Sequence, residues 1–183
     1  MPRQVGYVVG SLRKDSYNRK LAQALIRLGP PDFNFKELHI GDLPLYDQDE
    51  DRSQAPEVQR LKSELRAVDA VMFVTPEYNR SIPGVLKNAI DHASRPYGQN
   101  AWAGKPAGII GASIGAIGTA IAQAHLRTVL GYVDMPLLGQ PEVYIQVKDG
   151  FFDEAGNIAN AETRKFLHGW MDKYVAWVKR LTT

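Results

Sequence analysis

A chain of 183 residues, 44% hydrophobic and 23% charged, has interior enough for one sheet with covering helices, and it reads as a single domain over 1–183 with no fibrous or disordered tract. The net charge of +2 is spread along the chain rather than clustered, which argues against a nucleic-acid surface and leaves room for a small anionic ligand. No cysteine is present, so disulfides, thiolate metal sites and a cysteine nucleophile are excluded, and any redox chemistry needs a cofactor.

The N-terminal "MPRQVGYVVGSL" holds too short an apolar run for a signal peptide. No later segment reaches membrane-spanning length, so a cytoplasmic location away from membranes is expected. Gln4–Val9 is a short apolar run rich in valine, as expected of a strand buried on both faces. A first helix follows, with Leu21, Ala22, Leu25 and Ile26 at helical spacing, and Gly29–Pro31 ends it. Phe33–Ile40 alternates as a second strand, and a polar loop leads to a second helix from Pro56 with Val58, Leu61, Leu65 and Val68 on one face. Ala70–Val74 is a third strand that stops at "TPEYNRSIPG". Pro83 suits the first turn of a third helix, where its missing amide costs nothing, and Leu86, Ala89, Ile90 and Ala93 form the buried stripe. Ala107–Ser113 is a fourth strand, and the fourth helix runs on from Gly115 to Gly131 or soon after. A fifth strand lies within Pro141–Val147, and a last helix carries Phe166, Trp170, Tyr174, Trp177 and Leu181 on one face. Strict alternation of strand and helix implies a doubly wound α/β fold, a five-stranded parallel sheet with helices on both faces. Ligands of such sheets sit beyond the carboxyl ends of the strands, where the strand order reverses.

Three strand-to-helix loops are therefore the candidates. After the first strand, "GSLRKDSYN" presents the hydroxyls of Ser11 and Ser16, the Arg13 guanidinium, the Asn18 amide and the open N–H groups of a helix start. These are parts for binding a phosphate at the positive end of a helix, although Asp15 or Ser16 could equally be an ordinary helix cap. Neither a P-loop nor a dinucleotide glycine fingerprint is present. After the third strand, Pro76 and Pro83 restrict a loop displaying Tyr78 and Asn79, either as a rigid turn or as a fixed edge against a flat heterocycle. After the fourth strand, Gly111, Gly115 and Gly118 permit close approach of a ligand or tight helix packing.

Other features carry less. "DQDEDRS" starts like a calcium loop, but Arg52 replaces the glycine and Val58 stands where the bidentate glutamate belongs. His39, His92, His125 and His168 lack paired metal spacing and read as structural, so no metal is expected.

Taken together, "GSLRKDSYNRKLA", "TPEYNRSIPGVLKNAIDHASR" and "KPAGIIGASIGAIGT" resemble the three loops of the NADPH-dependent FMN reductase family of flavodoxin-like proteins, in particular its bacterial quinone and chromate reductase branch. The resemblance implies a flavodoxin-like fold, a tightly bound FMN, and NADPH or NADH as electron donor. Ser11, Arg13, Ser16, Tyr17 and Asn18 would then surround the FMN phosphate. Pro76, Glu77, Tyr78 and Asn79 would contact the flavin ring, largely through backbone, with Ser113 and Gly115 nearby. Two departures from the family pattern are Asp15, where relatives often carry glycine, and Arg80, an added cation beside the ring loop that could meet anionic substrates. No catalytic side chain is implied, because the flavin itself carries the hydride chemistry. Quinones, free flavin or oxidised metal anions such as chromate would accept the electrons in a ping-pong cycle.

Two rival readings share the topology. A flavodoxin-type electron carrier is disfavoured by the mildly basic balance, since carriers docking on proteins are usually acidic. A phospho-accepting signalling domain would need acids after the first strand and an aspartate after the third, where this chain has Gly10-Ser11 and Thr75-Pro76-Glu77. The fourth helix spreads Ile117, Ala120, Ile121, Ala124, Leu126, Val129, Leu130 and Val133 around more than one face, which predicts a homo-oligomer, a dimer or tetramer. Arg127 and Glu142 are candidates for a charged pair near that contact, for a bridge within the chain, or for separate surface positions.

Overall fold

The computed structural model describes residues 2–182. Five strands form one sheet: β1 (Arg3–Val9), β2 (Phe33–Glu37), β3 (Ala70–Val74), β4 (Ala107–Ser113) and β5 (Tyr144–Gln146). They lie in the order β2-β1-β3-β4-β5, every neighbouring pair parallel. This is the flavodoxin-like order, with its reversal between β1 and β3. The helices are α1 (Tyr17–Ile26), α2 (Pro56–Arg66), α3 (Gly84–Ser94), α4 (Ala120–Tyr132) and α5 (Ala161–Leu181). Among the described residues no helix is long and apolar enough to cross a membrane.

The pleat explains why the strands read as unbroken apolar runs. Val5, Val9, Met72, Val74, Ile110 and Ala112 point to one face, into a core closed by α1 and α5. Val8, Val71, Phe73 and Ile109 point to the other, into a core closed by α2, α3 and α4.

Four sequence expectations shift. The second strand ends at Glu37 rather than Ile40; Leu38 and Ile40 are still buried, but among the side chains over the opposite face. The polar loop contains a short 3-10 turn at Gln48–Glu50, capped by Asp47. The fourth helix does not run from Gly115: Gly118 takes a left-handed φ of 62°, which breaks the helical path, and α4 begins at Ala120. On α5 the buried stripe is Leu167, Trp170, Met171, Tyr174, Val175 and Val178, so Phe166 and Leu181 face outward, 54% and 41% exposed.

Trp170 and Tyr174 stack at 5.6 Å between centroids, and a Cβ on Gly108 would lie 2.6 Å from the Tyr174 ring. The Tyr174 hydroxyl is buried with no hydrogen-bond partner among the described residues, and burial pushes its pKa well above the ordinary tyrosine value of 10.0. An unpaired buried hydroxyl costs stability, so Tyr174→Phe should raise the unfolding free energy by about 1 kcal/mol. The raised pKa adds a signed pH effect. Above pH 10 the unfolded chain releases this proton while the folded one keeps it, so wild-type stability falls with rising pH, and the Phe variant loses that increment of slope. Urea unfolding at pH 8 and pH 11 measures both; a Phe variant less stable than wild type at pH 8 would contradict the assignment.

Candidate functional site

All three candidate loops leave the C-terminal edge of the sheet and meet there. Loop one follows β1 and is fixed at its root, where Gly10 N–H donates to the Val74 carbonyl at 3.0 Å. A Cβ on Gly10 would lie 3.0 Å from the Thr75 hydroxyl, so this junction presses β1 against the start of loop two.

In loop one, Ser11 and Ser16 are buried at 4% and 3% exposure, while Arg13, Lys14 and Asp15 are exposed. Ser16 caps α1 by accepting the Arg19 N–H at 3.3 Å, and Ser11 Oγ accepts the Arg13 N–H at 3.4 Å. The capping alternative and the anion alternative therefore coexist. Each serine oxygen takes a backbone N–H, and each hydroxyl proton stays available to an external acceptor. The Arg13 guanidinium lies 5.6 Å from the centre of the Tyr17 ring and makes no ion pair among the described residues. Together with the open N–H groups at the start of α1, this is a donor set of the kind that fits a phosphate, with Asp15 exposed in the same loop.

Asn18 behaves differently. Its amide makes a double bond pair with β4, donating to the Ala112 carbonyl and accepting the Ala112 N–H, both at 2.9 Å. The side chain pins α1 to β4 and so holds the loop, with the second amide proton left over among the described residues.

Loop two contains a two-residue hairpin turn. Tyr78 and Ser81 exchange both backbone hydrogen bonds at 3.0 Å, and the residues between them, Asn79 and Arg80, have φ values of 51° and 64°. That is a type I′ turn, a conformation comfortable for asparagine and costly for arginine, by about 1–2 kcal/mol. Glu77 is nearly buried, and its Oε2 accepts the N–H groups of Ile121 and Ala122 at 3.0 Å, capping α4 and tying loop two to that helix. Arg80 approaches Glu77 at 3.7 Å but is 66% exposed. Pro76 is buried beneath the turn, and Tyr78 stands outside it, 47% exposed.

Loops two and three enclose an open cleft of about 490 Å³. Asn79, Arg80, Ser113 and Gly115 line it, as does Ile117, which is 43% exposed although the sequence placed it on a helix. Ser113 Oγ accepts the Gly115 N–H at 3.1 Å. The sequence reading missed two connections. One is the capping role of Glu77; the other is the 3.1 Å contact between Ser81 Oγ and His125 Nδ1, which joins the loop to α4. Both partners lie 44 residues apart in the chain, beyond any spacing signal.

Arg127 and Glu142 do form an ion pair at 3.2 Å, within the chain. Of the readings the sequence allowed, this is the intrachain bridge.

The profile of the family described as NADPH-dependent FMN reductase matches residues 3–149. A 2-hydroxy-1,4-benzoquinone reductase of a Burkholderia species is 56% identical over 180 residues, covering 98% of this chain and 98% of that one. A quinone reductase of Pseudomonas putida is 51% identical over 176 residues, 96% of this chain and 94% of the relative. Among solved structures, FerB, a flavoenzyme NAD(P)H:(acceptor) oxidoreductase from Paracoccus denitrificans, matches with a TM-score of 0.95 and 46% identity over 99% of this chain and 100% of its own.

Proposed function

The chain belongs to the NADPH-dependent FMN reductase family, and from that premise we propose that NAD(P)H and then a quinone use one exposed flavin face in turn. It is an FMN-dependent NAD(P)H oxidoreductase, which sets aside the electron-carrier and signalling readings. Bound FMN supplies the centre that accepts and returns a hydride. The observation that carries the proposal is the meeting of the phosphate-type donor set of loop one with the rigid turn of loop two at the β1/β3 reversal.

Ser11, Arg13, Ser16 and the first N–H groups of α1 would hold the phosphate. Asn18 acts one step back, by fixing α1 to β4. The backbone of Pro76, Glu77, Tyr78 and Asn79, held by the I′ turn, would contact the flavin ring, and Ser113 and Gly115 line the cleft beside it. The cleft is open, so a nicotinamide or a quinone can stack on the same face without a lid. Quinones are the proposed main acceptors, and free flavin and chromate, a small oxidised anion, reach the same face. Initial rates with NADPH and 1,4-benzoquinone should give parallel double-reciprocal lines. Intersecting lines with a trapped ternary complex would overturn the shared-face scheme.

Arg80 adds a mobile-length cation at the rim. Because its backbone is left-handed, Arg80→Asn removes the charge while keeping the turn. The variant should lose several-fold in kcat/KM for NADPH and chromate and little for a neutral quinone, with stability unchanged or higher. Equal losses for all substrates would reduce Arg80 to a turn residue.

The active form is proposed as a homo-oligomer built on α4. Its inner face is buried through Ala122, Leu126 and Leu130, yet Ala124 and Tyr132 face outward, Tyr132 89% exposed. Beside it Ile82 and Val129 line an apolar groove of about 510 Å³. A second copy of this surface would cover both. Light scattering at micromolar concentration should report a dimer or tetramer, and a fully active monomer of 20.4 kDa would remove the oligomer from the mechanism.

A further inference from the structure

The flank of α2 carries a second polar cavity, of about 530 Å³, that shares no residue with the cleft described above. Its walls come from α2, from the loop before it, and from the segment that follows α3. Three cations line it: Arg52, Lys62 and Arg66. Asp51 is the single acid in the wall, and among the described residues none of the three cations makes an ion pair with it or with any other carboxylate. The contrast with the same helix is instructive. Arg60, on α2, is matched by both Asp42 and Glu64.

Lys62 is the unusual member, because it is 3% exposed. Its ammonium donates to Gln54 Oε1 at 3.0 Å and to the Arg95 carbonyl, which closes the end of α3. An ammonium has three protons, and the third has no acceptor among the described residues. Burial, and after it the like charge of Arg66, hold the Lys62 pKa below the ordinary lysine value, against a smaller upward pull from the Asp51 carboxylate. Asp51 offsets one of the three positive charges in this concave wall, and the excess that remains is favourable only if a further negative group completes it.

We propose that this cavity binds a small multivalent phosphate-type oxyanion, held by Arg52, Lys62 and Arg66. Two guanidinium forks and a fixed ammonium match several oxygens at once, which a single chloride cannot exploit. The volume admits either a free pyrophosphate or the diphosphate tail of a nucleotide. The site is separate from the flavin cleft, since its residues lie on α2, in the loop before it and in the segment after α3, and none of them lines that cleft.

The test uses the FMN-loaded enzyme, in which the phosphate loop is already filled. Calorimetric titration with inorganic pyrophosphate, and separately with adenosine 5′-diphosphate, is run at constant ionic strength on wild type, on Arg52→Gln/Arg66→Gln and on Arg80→Asn. Both arginines are exposed, so the double variant should fold normally; Lys62 is left in place because it closes α3. Expected is saturable binding that weakens about 20-fold or more in the double variant and is unchanged in Arg80→Asn. Equal affinity for the two probes identifies a free ion as the natural occupant, and tighter binding of the nucleotide identifies its tail. Absence of saturable binding by both probes, or binding that survives in the double variant, overturns the proposal.

Discussion

Replacing Arg13 with alanine should weaken FMN binding ten- to hundredfold while leaving riboflavin binding almost untouched. The expectation follows from where Arg13 stands. Its side chain is exposed, it forms no ion pair among the described residues, and its visible contact is with the Tyr17 ring at 5.6 Å. An exposed contact of that kind is worth about 0.5–1 kcal/mol, so the fold should hardly notice its loss. Against a phosphate the same guanidinium makes charge-assisted hydrogen bonds worth about 1.5–3 kcal/mol each, which is the predicted range of affinity. The serines cannot replace it, because their oxygens are occupied by the N–H groups of Arg13 and Arg19 and they contribute hydroxyl protons without charge. Fluorescence titration of the flavin-free variant with FMN and with riboflavin separates the phosphate from the ring. Equal losses for the two ligands would mean that Arg13 acts through the loop's shape, and an unchanged FMN affinity would remove the phosphate from loop one altogether.

How far the sequence could be read depends on what each residue's partner is. The inner strands were legible because both faces of the sheet are covered there, so Ala70–Val74 is apolar and buried at every position, whereas the edge strand Phe33–Glu37 showed itself by alternation. The last helix misled by one position: 166, 170, 174, 177 and 181 are as periodic as the true stripe, and the large rings of Phe166 and Trp177 drew attention from Leu167, Met171 and Val178. Only the packing against the sheet chooses between two stripes so close in angle. In the site, the loops were legible from the residue types and from the rule for parallel sheets, but not the use each polar group makes of its neighbours. Asn18 and Glu77 look like ligand contacts in the sequence and are engaged with Ala112, Ile121 and Ala122 in the fold. The I′ turn was hidden because its second residue is Arg80 where glycine is the usual signal.

The largest effect on the fold is expected at Gly111, where alanine should cost about 3 kcal/mol or more and release the flavin as well. Gly111 lies in β4 beside the end of β3, and a Cβ there would stand 2.1 Å from the Thr75 carbonyl oxygen and 2.5 Å from Thr119 Oγ1. A side chain can turn aside, but a backbone carbonyl in a parallel ladder cannot without giving up its register. The pairing of Val74 with Ile110, and the 3.0 Å bond from Thr75 N–H to the Ile110 carbonyl, would have to yield. Overpacking of a rigid core costs about 1–3 kcal/mol and exceeds that range when backbone must move. Thr75 is also the first residue of loop two, so the displacement is delivered directly to Pro76 and the turn beyond it. Gly139→Ala provides the comparison, since a Cβ at that position meets nothing within 4 Å. Urea unfolding followed by circular dichroism should place Gly139→Ala near wild type and Gly111→Ala far below it, with FMN lost on gel filtration from the second variant alone. A Gly111→Ala protein within 1 kcal/mol of wild type would mean that the two backbones do not approach as closely as argued. One that keeps its stability but loses FMN would move the effect of Gly111 from the sheet to the cofactor loop.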